Sequence, residues 1–278
     1  MSVRSARYNL LLLRNPKGLT VIPEERDAWA FLDAAGIKSS RQQRAVIDLV
    51  RGLKNAQLWS KMKAIYPFVG GTATTHKFNL KDARDADAAY RLQFNGGYTH
   101  SSNGILPNGS NGYASTFLNE NTSMTLNDQH MSIYSRTDSD SGILRCDMGV
   151  LKEGDRESSI FPKYNNVFYP RIHATNSGIA NTTNSLGYFI SNRKSSTEIR
   201  AFQNNSLKQI TNASVSKSDG IVYISAHSFS NSGNNNTPFF YSNRQLAFAT
   251  IGDGLTDTDA TNLYNIVQRF QTSLGRQV

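Results

Sequence analysis

From Gly70 onward the chain is punctuated by turn dipeptides, and this punctuation limits its fold more than any other feature. Gly70-Gly71, Asn95-Gly96-Gly97, Asn103-Gly104, Asn108-Gly109 and Asn111-Gly112 supply residues that accept the positive φ of tight turns. Among and beyond them lie short β-type runs at 131–134 (MSIY), 186–190 (LGYFI), 221–224 (IVYI) and 245–249 (QLAFA). Each alternates, or nearly alternates, between apolar and polar positions, as a half-buried antiparallel strand does. About 200 residues of this grammar, without helical periods between the runs, predict a mainly β chain built as a two-sheet sandwich or jelly roll. The 27 Asn, 31 Ser and 20 Thr among 278 residues then serve its turns and solvent faces.

The first third reads differently. Pro16, Gly18 and Pro23 break up residues 1–23, which read as an extended basic arm. Pro23-Glu24-Glu25 suits a helix N-terminus, followed by an apolar stripe of Ala28, Trp29, Phe31 and Leu32 that Gly36 ends. Ser39 or Ser40 caps a second helix carrying Val46, Ile47, Val50 and Leu53. A short turn around Leu58, Trp59 and Met62 leads to Pro67. Residues 24–66 thus form a helical docking segment with a thin core of its own, and 67–278 the β domain. A final helix starts at Thr256-Asp257-Thr258-Asp259, carries Leu263, Val267, Phe270 and Leu274, and stops at Gly275. It is expected to pack on the sandwich.

Charge follows the same division. The net +9 resides almost wholly in residues 1–80, which hold 13 basic and 5 acidic side chains. These bases are scattered and accompany no nucleic-acid-binding motif, so docking on an acidic protein surface is the expected use and nucleic acid is not an expected partner. No apolar run reaches the ~20 residues of a membrane helix, so no membrane insertion is expected. The run at 10–13 is shorter than the ~7–15 residues of a signal core, and a classical secretion route is not supported.

Chemistry-bearing motifs are sparse. Asp82, Asp85 and Asp87 lack the spacing of a calcium loop, and Asp253-Gly254 is first a turn. His76, His100, His130, His173 and His227 show no metal-ligand spacing, and Cys146 has no nearby partner. Glu is scarce after residue 80, with no paired-carboxylate spacing, nucleophile elbow or phosphate loop. No catalytic residue, metal site or cofactor is expected, and the chain is not read as an enzyme.

Several long segments resemble tailed-bacteriophage virion structural proteins. They are 58–73 (LWSKMKAIYPFVGGTA) running on through 76–82 (HKFNLKD), 94–100 (FNGGYTH), 108–114 (NGSNGYA), and the ending from 248–257 (FATIGDGLTD) through the last helix to Val278. The resemblance spans about residues 37–278, leaving out an arm of the kind that varies freely. It implies a concanavalin A-like lectin/glucanase (laminin-G-like) jelly roll, but not the acid triplet of the glucanases and not the metal ligands of plant lectins. It implies no activity by itself, since this fold hosts both lectins and enzymes. The expectation is a virion protein in tail, fibre, collar or capsid decoration, a homo-oligomer under particle symmetry that contacts other virion proteins. Trp29 and Trp59 are its candidate docking anchors. The alternative is a glycan-binding module for host attachment, with Tyr98, Asn111, Tyr113 and Phe239 as candidate sugar contacts. A glycan-cleaving enzyme is the third and least supported reading.

Overall fold

A computed structural model describes residues 23–140, 142–154, 156–175, 180–231 and 236–278. The expected arm, except Pro23, and part of the Asn-rich loop at 231–237 lie outside the described residues. Two α-helices open the described chain, α1 (Arg26–Ala34) and α2 (Ser40–Asn55). One-turn helices follow at α3 (Ala73–His76) and α4 (Glu120–Ser123), and α5 (Asp257–Leu274) closes the chain. The strands are β1 (Met62–Tyr66), β2 (Gln93–Asn95), β3 (Tyr98–Ser101), β4 (Gly104–Pro107), β5 (Tyr113–Asn119) and β6 (Gln129–Ser135). Then come β7 (Met148–Lys152), β8 (Arg156–Tyr164), β9 (Val167–Ala174), β10 (Ala180–Asn181), β11 (Gly187–Arg193) and β12 (Glu198–Gln203). The series ends with β13 (Ser206–Thr211), β14 (Ile221–Ile224), β15 (His227–Ser230), β16 (Thr237–Phe239) and β17 (Leu246–Gly252).

The strands form two sheets, so the chain is mainly β. One has eight strands in the order β13-β12-β11-β6-β17-β4-β3, with β1 also paired to β17. The other has nine, in the order β10-β9-β8-β7-β14-β5-β2, with the β15–β16 hairpin attached to β7. Every pairing of named strands is antiparallel except β15 on β7.

Side-chain alternation sorts residues into two cores. Met131 and Ile133 of β6, Phe189 of β11 and Ile251 of β17 meet Met148, Ile160, Phe168 and Ile224 between the sheets. The intervening positions, Tyr134, Tyr188, Ile190 and Phe248, leave the eight-stranded sheet on its other side and pack on helices. There Ala45, Val46, Leu49, Val50 and Leu53 of α2 meet Leu263, Ile266, Val267 and Phe270 of α5. The order is therefore helices, eight-stranded sheet, nine-stranded sheet. The N-terminal helices share their core with α5 and the sheet, which compensates for the little apolar surface they carry alone.

Helix ends follow the local chemistry. Ser39 accepts the Gln42 N–H, Thr256 and Asp259 form a reciprocal capping box, and Gly275 takes the left-handed φ of +71°. One local expectation is corrected. The region around Leu58–Met62 is a brief 3-10 turn (Trp59–Lys61) that leads into a strand rather than directly to Pro67, because Met62–Tyr66 finds β17 as a partner.

Candidate functional site

On the nine-stranded sheet, the residues that point away from the inter-sheet core line a polar and aromatic outer face. β8 contributes Glu157, Ser159 and Phe161 at alternate positions, and β9 contributes Tyr169 and Arg171. Glu157 is 4% exposed, so its charge needs compensation within the protein. Arg171 Nη1 donates to Oε2 at 2.5 Å, and Ser159 Oγ donates to Oε1 at 2.6 Å. His227 Nε2 stands 3.2 Å from Oε1. The Arg171 guanidinium lies 5.4 Å from the Phe161 ring centre and 5.2 Å from that of Tyr169.

An aromatic cover closes over this network. Phe239 lies 4.9 Å from His227 and 4.5 Å from Phe240, and Phe161 meets His227 edge-on at 5.5 Å. Burial lowers the His227 pKa to about 4, so the imidazole is neutral near pH 7. Burial raises the Cys146 thiol well above its ordinary value, with the Glu157 and Asp147 carboxylates adding to the effect, so no thiolate forms there. Glu120, with a raised pKa caused first by burial, is wholly enclosed and held by the Gln129 side chain and the Ser218 N–H. A general acid must reach its substrate, and Glu120 is closed off from solvent.

The expected sugar contacts divide between two environments. Tyr98 packs toward the inter-sheet core, edge-on to Phe94 at 5.1 Å, and its hydroxyl donates to the Ile224 carbonyl at 3.4 Å. Burial raises its pKa. Tyr113, by contrast, packs against Tyr223 with tilted rings at 4.8 Å. The Tyr223 hydroxyl donates to the Asn236 carbonyl at 2.8 Å, immediately before the strand that carries Phe239. Asn111 is exposed, with its side-chain carbonyl accepting from Gly97 N–H (2.9 Å) and Asn108 Nδ2 (2.8 Å). Asn108 Oδ1 in turn gathers the N–H groups of Ser110, Asn111 and Gly112, which fixes the turn.

Arg145 ties that turn to the face by donating to the carbonyls of Gly109 (3.0 Å) and Tyr241 (2.8 Å). Tyr113, Asn111 and Phe239 are therefore joined to one surface, and Tyr98 is turned from it. Sequence reading missed Tyr223, Tyr241, Phe240 and Arg145. The alternation in 221–224 could have singled out Tyr223; Arg145 is placed by contacts distant in sequence and leaves no local sign.

The expected docking anchors lie on the opposite side, in the helical layer. Trp29 is half-buried, and its Nε1 donates to Glu25 Oε2 at 3.1 Å. Trp59 lines an open cleft of about 580 Å³ with Lys54, Gln57, Ser60, Lys61 and Asp259. The ammonium groups of Lys81 and Lys54 stand 4.5 and 5.5 Å from its ring centre. Lys54 also pairs with Asp27 at 2.6 Å, and Lys61 with Asp259 at 2.5 Å. Arg26, Lys38, Arg41 and Arg44 are exposed on this layer.

Among the described residues no three His, Cys, Asp or Glu side chains come together as a metal-binding set, and no helix is long and apolar enough to cross a membrane. The chain matches no family model and no curated protein sequence.

Proposed function

We propose that this chain is a structural protein of a tailed-bacteriophage particle that docks through its helical layer and displays a concanavalin A-like jelly roll. The observation that carries the reading is the joining of distant segments that resemble such proteins. Residues 58–73 and 248–257 are far apart in sequence, yet β1 and β17 pair directly, with Ala64 opposite Ile251 and Tyr66 opposite Ala249. The chain's last residues close the same unit, since Arg276 donates to the carbonyls of Pro67 and Phe68. Two of the resembling segments and the chain's last residues thus meet at one joint of the eight-stranded sheet.

In this reading, the basic helical layer faces an acidic neighbour, with Trp59 at its cleft, and copies repeat under the symmetry of the virion. Glu157 serves architecture, not acid–base chemistry, because Arg171 and Ser159 hold it, and no enzymatic activity is proposed. Mass spectrometry of purified particles is expected to find the chain at a fixed copy number. Its absence from particles would reject the proposal.

A second reading is favoured by the outer face of the nine-stranded sheet. Tyr113, Tyr241, Phe239 and Phe240, with the buried Tyr223 supporting Tyr113, offer apolar ring faces beside Asn111, the combination by which proteins hold sugar rings and their hydroxyls. This makes the displayed domain a carrier of a host-surface glycan site. Glycan-array binding that is lost in Tyr113→Ala and Phe239→Ala is expected; an array that stays blank for the parent chain removes this reading. New reducing ends from incubation with host polysaccharide would instead indicate cleavage.

A further inference from the structure

The geometry points to a second copy of this chain as the partner of β13, pairing antiparallel about a two-fold axis at Gln209. β13 ends the eight-stranded sheet and, among the described residues, has only β12 as a neighbour. The other strands with a single partner are shorter: β1 has five residues, β3 four, β2 and β16 three each and β10 two, against six in β13. Natural sheets blunt an exposed edge with charges, proline or bulges. β13 carries a single charge, Lys208, no proline, and Leu207 at 39% exposure, while its register to β12 runs unbroken from Ser206 to Thr211.

The hairpin sets which groups are free. Its two-residue turn, Asn204-Asn205, has φ of +47° and +66°, so the flanking pair Gln203–Ser206 is hydrogen-bonded and the bonding alternates thereafter. Ser206, Lys208 and Ile210 therefore direct their backbone groups to β12. The Asn212 N–H, which bonds Thr197 O at 2.8 Å, continues that phase. Leu207, Gln209 and Thr211 direct theirs to the open edge, and all three have exposed side chains.

A two-fold antiparallel contact must bring these outward groups together. Only the register with Gln209 opposite Gln209 of the second copy uses all three, placing Leu207 opposite Thr211 in both directions. This makes about six main-chain hydrogen bonds, two for each bonded pair. A shift by one bonding step toward the turn puts Lys208 opposite Lys208, which like charge disfavours. The chosen register sets Lys208 against Ile210 instead. The two eight-stranded sheets then become one continuous sheet.

Sedimentation velocity on the full chain at about 1–100 µM, where contacts of ordinary transient strength populate, tests it. A concentration-dependent dimer is expected. Gln209→Pro removes an outward N–H and spares the main-chain ladder to β12, losing there only the exposed side-chain bond to Glu198, so it should remain monomeric with a nearly unchanged melting curve. Gln209→Cys should form a disulfide-linked dimer on mild oxidation, because a bonded pair on the axis holds Cα atoms ~5.5 Å apart. Lys208→Cys, offset from its mate, should not. A monomer at every concentration, a dimer indifferent to Gln209→Pro, or cross-linking at 208 instead of 209 would overturn the inference. So would a dimer that forms only after deletion of residues 1–22.

Discussion

Three buried arginines act as staples between segments distant in sequence. Arg276 is 1% exposed and donates to the carbonyls of Phe68 (2.9 Å), Pro67 (3.1 Å) and Ala247 (3.1 Å), and to Gln271 Oε1 (2.9 Å). Arg193 likewise donates to Ile172 O, Ser195 O and Asn212 O, while Arg244 adds a carboxylate partner, Asp147, at 3.2 Å. Burial lowers the Arg276 pKa to about 9, which still leaves it protonated at neutral pH. Arg276→Met should destabilise the fold by at least about 3 kcal/mol, since several acceptors lose their donor in a dry site. A urea titration that leaves the midpoint unmoved would contradict this role.

Four histidines set an acid limit. Burial, the first cause in each case, lowers His76 and His173 to about 3 and His130 and His227 to about 4. The unfolded chain takes up these protons near pH 6.5 and the folded chain does not, so stability is full above that pH and falls as pH drops. Each such histidine costs about 1.4 kcal/mol per pH unit until its folded pKa is reached. The melting temperature should therefore drop steeply from pH 6 to 4; a flat profile over that range would show the histidines to be solvated. None of this was visible in sequence, because the burial of these His and Arg side chains depends on acceptors supplied from far along the chain.

At the scale of elements, helices and the clearest strands were legible and their partners were not. The cap at Ser39, the box at Thr256–Asp259 and the stop at Gly275 are local chemistry, as is the alternation in 131–134 and 221–224. β1 escaped because Leu58, Trp59 and Met62 mimic helical spacing, and only β17 makes 62–66 a strand. The face of Tyr98 was equally hidden: alternation gives two sides, and which side meets the core depends on the other sheet. Gly252 shows how tight the β1–β17 joint is. A Cβ there would lie 2.2 Å from Lys61 O. Gly252→Ala should accordingly destabilise by about 1–3 kcal/mol through overpacking. Leu263→Ala, at a fully buried position of α5 in the core shared with α2, should lose about 2–5 kcal/mol. Thermal melts of the two variants check both; values near the parent would mean that the joint or the helix is loosely packed.

Across the whole molecule, the described bases of the first third include Arg26, Lys38, Arg41 and Arg44, all exposed on the helical layer. Lys54 and Lys61 line the Trp59 cleft together with Asp259, while the aromatic face lies two layers away on the outer sheet. In the proposed reading the helical layer is the docking side and the outer sheet the displayed side, with the sandwich between them. Electron microscopy of intact tailed-phage particles, labelled with antibodies to each side, tests this division most directly. Antibody to the Tyr113–Phe239 face should decorate intact particles, and antibody to the α1–α2 surface should bind only after disruption. Labelling of the helical surface on intact particles, or no labelling by either antibody before or after disruption, would contradict it.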